Sequence, residues 1–517
     1  MHAPRVCVAK RPDTLSNRVC DGTGHRERNK KAYRGQKQAL QACGGGGTSA
    51  PAATQVPGAA APAAATKAPA GAAPAAAAPT TPPAAGKASG EIGWLVRSNP
   101  AETKAQEDIF LPAIKKQYPD LKVTQIIVPG KDYIPKLNTM TAGGKPPDIW
   151  GFGGNYFDYW ARGMAQELDE YINADKFDVD NYFLPGLADK YKVGGKHWGL
   201  NQLTTFGTFT IYNKKIFDEA GVPYPPSDWS DTSWNHDKLI DTARKLTKNF
   251  GKPDAQYGLH AYGDWAPHQP AWLWGTDPYM PDHYTQYIAQ KTNFHDPVLE
   301  QMLQFMQDLT YKDKISPSKA DLSGLASAAT AHPFMTGKIA MTQVSGWGLW
   351  TFSPITDFKF GVAPLVPGPG KQIKKIATYN DFWIMAKGST QKENTWKMMR
   401  VLTAVDVVKA YSAASNTPPV VRDALDSWYK IVSDRHGQSV EDLRKVTLGS
   451  IDQKVSQESV DHLFIQFPKI NDAWNNESDA IFLKSDPVKN VLPGIADKID
   501  AITKSIYDQF NGKLPAH

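Results

Sequence analysis

Glu91-Ile92-Gly93-Trp94-Leu95-Val96 reads as a short strand, and the segments immediately after it set the fold class. Residues 103–118 carry Ile109, Phe110, Ala113 and Ile114 near helical spacing, and Tyr118-Pro119-Asp120 stops that helix. Residues 121–128 alternate and are rich in β-branched side chains, the mark of a second strand. A helix over 133–142 ends at Gly143-Gly144, and Pro146-Pro147-Asp148-Ile149-Trp150 begins a third strand. Strands alternating with helices imply parallel β-α-β units and an α/β lobe. Ligands of such sheets sit beyond the carboxyl ends of the strands, which directs attention to Arg97-Ser98-Asn99 and to residues 151–156.

Further along, residues 198–213 form one long extended stretch, small and β-branched in the middle and long enough to cross between two lobes. A helix over 214–220 comes next, capped by Gly221, and then a rigid loop, Val222-Pro223-Tyr224-Pro225-Pro226. Helical periodicity covers 236–249, 298–311, 391–412 and most of 420–511. Strands are expected at 339–342, 358–363 and 377–386.

The charge is unevenly placed. Residues 1–90 hold 12 Lys and Arg against 3 Asp and Glu, and the rest of the chain holds 46 against 49. The overall +6 is therefore a property of the amino-terminal arm, and the body lacks the clustered cation of a nucleic-acid surface. All 15 Trp lie beyond residue 90 and all 3 Cys before it, so the body can build a large core without disulfides or a cysteine-ligated metal. No run approaches about 18 apolar residues, the length of a membrane span. Residues 1–42 read as a polar basic arm and 43–90, mostly Ala, Pro and Gly, as a disordered tether. Leu40-Gln41-Ala42-Cys43 resembles a bacterial lipobox, which implies acylation of Cys43 and a lipid tether. The residues just upstream, 25–41, hold no apolar export core, as in a miscalled or degenerate signal region.

Catalytic signatures do not occur: there is no GxxxxGK[ST], GxSxG or HExxH. Gly151-Phe152-Gly153-Gly154 lacks the spaced third glycine of a dinucleotide loop, and His260 and His268 are poorly spaced for a metal. Glu167, Asp169, Glu170, Asp178 and Asp180 read as caps or solvated faces. No catalytic residue, metal or cofactor is expected. The chain is rich instead in aromatic loops: one running from Trp265 through Trp272 and Trp274 to Tyr279, then Gly346-Trp347-Gly348-Leu349-Trp350, then Tyr379-Asn380-Asp381-Phe382-Trp383. An aromatic ring covers the C–H face of a sugar, while Asp, Asn or Arg pairs with its hydroxyls. The expected ligand contacts are Arg97, Asn99, Asn155, Tyr156, Asn201, Trp272, Trp274, Trp347, Trp350, Tyr379, Asp381 and Trp383. Trp229, Trp234, Trp396 and Trp474 are assigned to packing.

Several ordered segments over 91–517 resemble the extracellular solute-binding proteins of ABC importers, in the large sugar-binding family that includes maltose-binding protein. They are Pro147-Asp148-Ile149; Gly163 with Leu168-Asp169-Glu170; and Ile211-Tyr212-Asn213-Lys214-Lys215-Ile216-Phe217-Asp218-Glu219-Ala220-Gly221-Val222. After these come Phe334-Met335-Thr336-Gly337-Lys338-Ile339-Ala340-Met341, Gly361-Val362-Ala363-Pro364 and Asn416-Thr417-Pro418-Pro419. Arg97-Ser98-Asn99-Pro100 stands where the family usually has an aromatic pair, which leaves the ligand's identity open. The resemblance implies a two-lobed periplasmic-binding-protein-like α/β fold (type II), each lobe a mixed sheet flanked by helices, with a cleft between them. The amino lobe would be 91–204 plus 362–412 and the carboxyl lobe 205–361 plus 413–517, with crossovers near 204–208 and 361–364. It further implies an extracellular or periplasmic monomer without nucleic-acid partners. Such a protein captures a carbohydrate by closure of the lobes and delivers it to an ABC permease. Two alternatives stay open on the same aromatic cleft: a secreted carbohydrate-active hydrolase and a non-transport ligand sensor.

Overall fold

The computed structural model describes residues 88–98, 100–151, 154–261, 267–325 and 332–514. The expectations for Cys43, the basic arm, nearly all of the tether, Asn99 and Trp265 lie outside those residues. Strands run in chain order as β1 (Gly90–Ser98), β2 (Leu121–Pro129), β3 (Ile149–Trp150), β4 (Lys192–Val193), β5 (Lys196–His197), β6 (Leu200–Thr204) and β7 (Thr208–Asn213). Beyond them lie β8 (Tyr257–His260), β9 (Ile339–Ser345), β10 (Phe360–Ala363), β11 (Ile376–Thr378), β12 (Asn380–Met385) and β13 (Ser456–Glu458).

The first sheet has the order β2-β1-β3-β12-β6. Strand β1 is parallel to β2 and to β3, while β12 returns antiparallel to β3 and β6. A helical run over 100–117, with a π turn at Gln106–Phe110, joins β1 to β2, and the helix Gly130–Ala142 joins β2 to β3. Helices cover both faces, so β1 is apolar on both rather than alternating. Ile92, Trp94 and Val96 pack with Phe110, Ile114 and Met385, whereas Leu95 packs with Tyr133, Leu137 and Trp150.

The second sheet has the order β10-β7-β9-β8, with β7 antiparallel to both neighbours and β8 parallel to β9. The helix Lys214–Ala220 leaves β7 as expected. The Asn213 side chain accepts from the Ile216 amide at its start, and Gly221 ends it at φ 63°, a left-handed conformation that suits glycine.

Two expectations change. Residues 198–213 are two strands in two sheets, broken at Phe206, which is fully buried with φ 59°. A bulky residue in the left-handed region is costly and persists only where contacts impose it. Here its ring packs against Trp428 and Tyr429, and its carbonyl accepts from the Ser450 hydroxyl at 2.9 Å. The second change concerns Val362 and Ala363, which pair with Ile211 and Thr210 in the second sheet. The Gln438 side chain holds both the amide and the carbonyl of Val362 (2.8 and 2.9 Å), so the return to the first sheet begins after Ala363 rather than at 362.

The two connections between the sheets are bonded to each other. The Thr205 amide donates to the Tyr379 carbonyl (3.0 Å), and the Tyr379 amide donates to the Thr205 hydroxyl (2.9 Å). Tyr379 also divides the expected strand 377–386: β11 pairs with β13, and β12 enters the first sheet.

Candidate functional site

Because β12 runs against β1 and β3, its first residues meet the carboxyl ends of those strands, and Arg97, Gly151 and Asp381 share one edge of the first sheet. Arg97 is about a third exposed and lies 3.3 Å from Glu102. Burial opposes its charge, but Glu102 and Asp381 outweigh that and raise its pKa. Burial pushes the Glu102 carboxyl up, against the pull of Arg97. Tyr156, the first residue of the helix Tyr156–Ala161, donates its hydroxyl to Asp381 Oδ1 at 2.8 Å. The pairing of β12 with β6 shifts register between Asp381 and Phe382, a bulge of the kind that re-aims side chains.

The residues that complete this edge come from the carboxyl-terminal segment. His462, in the short helix Val460–Leu463, places Nδ1 2.7 Å from Glu458 Oε1 and Nε2 3.9 Å from Asp381 Oδ1. Glu458 is fixed in turn by Asn380, whose backbone amide (3.1 Å) and side-chain amide both donate to it. The Asp461 carboxylate accepts from the Ser459 hydroxyl, and burial pushes its pKa up. Burial alone would discharge His462. The hydrogen bond to Glu458 and the charges of Asp461, Glu458 and Asp381 prevail and raise its pKa to about 9. Sequence reading missed this trio. The only local signal was a carboxylate and a histidine four positions apart, and nothing local ties them to β12, 78 positions away from Glu458 at Asn380.

The other expected contacts divide. Tyr379 joins the cluster: its hydroxyl accepts from Gln269 (3.3 Å), and its ring meets His462 edge-on at 5.5 Å. Asn155 acts through structure, capping the helix at Asp158 and donating to the carbonyls of Asp461 and Phe464 at 2.7 Å each. Trp347 and Trp350 stay partly exposed just past β9, with Trp347 resting on His332 and Phe352. Trp274 is partly exposed but packs on Phe305 and His236.

Three assignments are corrected. Trp383 is 1% exposed and packs edge-on against Trp94 and Phe110, because it sits opposite Leu200 within the first sheet rather than at its rim. Trp272 is equally buried, beside His268 in the helix His268–Leu273. Asn201 is buried and donates to the Leu187 carbonyl at 2.9 Å, a structural role. Trp234, Trp396 and Trp474 are buried as expected, and Trp229 donates to the Val446 carbonyl. Among the described residues no group of His, Cys, Asp and Glu could hold a metal ion. The site is thus a set of carboxylates and tyrosines with one arginine and one imidazole, in which the carboxylates can accept hydrogen bonds from hydroxyl groups and the arginine can donate to them.

The model of the family described as bacterial extracellular solute-binding protein matches residues 97–409. A putative binding protein of Brucella abortus (strain 2308) is 23% identical over 430 residues, covering 81% of this chain and 95% of that protein. An erythritol/L-threitol-binding protein of Mycolicibacterium smegmatis is 23% identical over 397 residues, covering 69% of this chain and 78% of that protein. Among solved structures, an ABC substrate-binding protein of Listeria monocytogenes in complex with cycloalternan aligns with TM-score 0.65 and 25% identity, covering 80% of this chain and 98% of that one. The maltose-bound MalE3 of T. maritima aligns with TM-score 0.61 and 20% identity, covering 80% and 99%. The fold is the two-lobed periplasmic-binding-protein-like one, each lobe a mixed sheet with flanking helices. These relatives are binding proteins rather than enzymes, and among the described residues no helix is long and apolar enough to cross a membrane. With the family match spanning more than half of its length, the chain belongs to the bacterial extracellular solute-binding proteins.

Proposed function

We propose that this protein captures a carbohydrate, a mono- or oligosaccharide or a related polyol, between two lobes and hands it to the membrane permease of an ABC transporter. The lobes are centred on the two sheets, the first comprising residues 91–204 and those from 364 to 412, the second the remainder of 205–517. The observation that carries this reading is the rim where the Asp381 carboxylate, oriented by the Tyr156 hydroxyl, can accept from ligand hydroxyls and the Arg97 guanidinium can donate to them. It is supported by Trp347, next to Gly346, whose amide bonds to Gly207 in the first connection. Relatives named for erythritol and L-threitol, or solved with cycloalternan or maltose, add weight to a polyhydroxylated ligand. A ligand that touches both lobes stabilises only the closed state in full. Micromolar capture, about −8 kcal/mol, is enough for scavenging and still lets the ligand go. The protein acts as a monomer outside the cytoplasm, held by a lipid on Cys43, with no nucleic-acid partner.

A thermal-shift screen over sugars and polyols tests the reading. A true ligand at 100 times its Kd should stabilise by about 2.7 kcal/mol. Asp381→Asn should then weaken binding at least tenfold with little change in the ligand-free midpoint. A panel with no shift overturns the carbohydrate reading, and an unchanged affinity in the variant removes Asp381 from the site. Turnover of the bound sugar would favour a hydrolase.

A further inference from the structure

We infer that His462 is the positioning residue of this site: bridging Glu458 and Asp381, it orients the carboxylate that meets the ligand and ties the carboxyl-terminal segment to the first sheet. The inference rests on the carbohydrate reading above for the ligand, and on geometry alone for the bridge. The contacts form a closed ring. Asn380 and Asp381 are neighbours on β12; Asn380 holds Glu458 with two donors, Glu458 meets His462 Nδ1 at 2.7 Å, and His462 Nε2 returns to Asp381 at 3.9 Å. Glu458, His462 and Asn380 are each less than 5% exposed, so solvent cannot substitute for a missing partner.

An imidazole with one carboxylate hydrogen-bonded at 2.7 Å and a second in ion-pair contact at 3.9 Å is electrostatically matched to both only as the protonated ring. The groups facing His462 are Tyr156 from the helix Tyr156–Ala161, Tyr379 between β11 and β12, Asp381 from β12, Glu458 from β13 and Asp461 from its own helix. Three carboxylates around one ring favour the charged form, in line with a pKa near 9. Burial, reinforced by Asp381 at Tyr156 and by Asp461 at Tyr379, holds both tyrosines well above the usual phenol range, so they stay protonated while His462 titrates. Above the histidine's pKa one of the two carboxylates loses its donor and faces the other across a neutral ring. Asp381 then loses the cation beside it and keeps only the hydrogen bond from Tyr156, and affinity falls.

The test uses the full chain with erythritol and maltose as probes, by calorimetry from pH 6.5 to 10. Wild-type affinity should be level to about pH 8 and drop at least fivefold by pH 10. His462→Gln, which keeps neutral donors, should bind at least fivefold more weakly at pH 7 and show no such drop. A variant with wild-type affinity and the same profile overturns the inference. A carbon-13 histidine NMR titration without ligand reads the bridge directly: one ring should titrate near pH 9, and Asp381→Asn should lower it. Such a ring with neither probe bound counts against the carbohydrate reading and for the bridge; a probe bound with every histidine titrating at or below about 6.5 counts against the bridge alone.

Discussion

Around Asp381 the first sheet gathers Arg97, Glu102, Tyr156, Glu458 and His462, whereas around Trp347 the second sheet ends in rings, His332, Phe352 and Trp350. The second group is drawn from residues close in sequence, and the first from four separate segments. Apolar rings tolerate approximate neighbours, because burial energy is non-directional. Buried charges need partners at hydrogen-bond distance and defined geometry, so such a site must be assembled by the fold. The same contrast appears within β12. Asp381 at the rim bonds to Tyr156, while Trp383, two residues on, is sealed against Trp94 and Phe110.

The sharpest way to break this comparison is Trp383→Ala. If Trp383 is core, the variant loses about 3–5 kcal/mol in urea unfolding. A stable variant with weakened ligand binding would return Trp383 to the site. Gly346→Ala should rank next at about 1–3 kcal/mol, because a Cβ there would lie 2.0 Å from the Thr205 carbonyl oxygen in the connection between the sheets. An unchanged midpoint would show that this connection yields easily. Trp347→Ala should weaken ligand binding by more than about 1 kcal/mol, while the ligand-free midpoint moves far less than for Trp383→Ala. A collapse of stability instead would place Trp347 with the packing residues.

The smallest effect separates His462 from four other buried histidines by pH. Burial pushes His260 and His283 down to about 4, and His268 and His436 to about 3. These rings are neutral when folded and accept protons near 6.5 when unfolded, so the stability they allow is complete above that value and declines as pH falls toward 4. His462, with its pKa raised to about 9, has the opposite sign. Its contribution is complete below about 6.5 and is lost as pH rises through 9. Melting temperature against pH should therefore peak near 6.5, declining toward pH 4 on one side and toward pH 9 on the other. A midpoint that rises toward pH 5 would contradict the neutral assignment of the four buried rings.

The elements themselves were legible. The apolar run at 92–96, the helix ended by Gly221 and the packing tryptophans 234, 396 and 474 come from local periodicity and near-neighbour sterics. Asp381 was legible as a site candidate, since a carboxylate among rings at a strand's start is out of place in a core. Trp383 was misread for the same reason: its neighbours in sequence are those of a rim residue, and only its pairing opposite Leu200 buries it.

The sequence by itself determined the kind of most of the longer elements, though not β8 or β13, together with the parallel opening of the first sheet and the family pattern, because these depend on residues a few positions apart. The tertiary structure decided the break at Phe206, the membership of Val362 and Ala363 in the second sheet, and the meeting of Asp381 with Glu458 and His462. A left-handed phenylalanine and a buried imidazole between two carboxylates are each unfavourable alone, and they exist here because contacts from distant segments hold them.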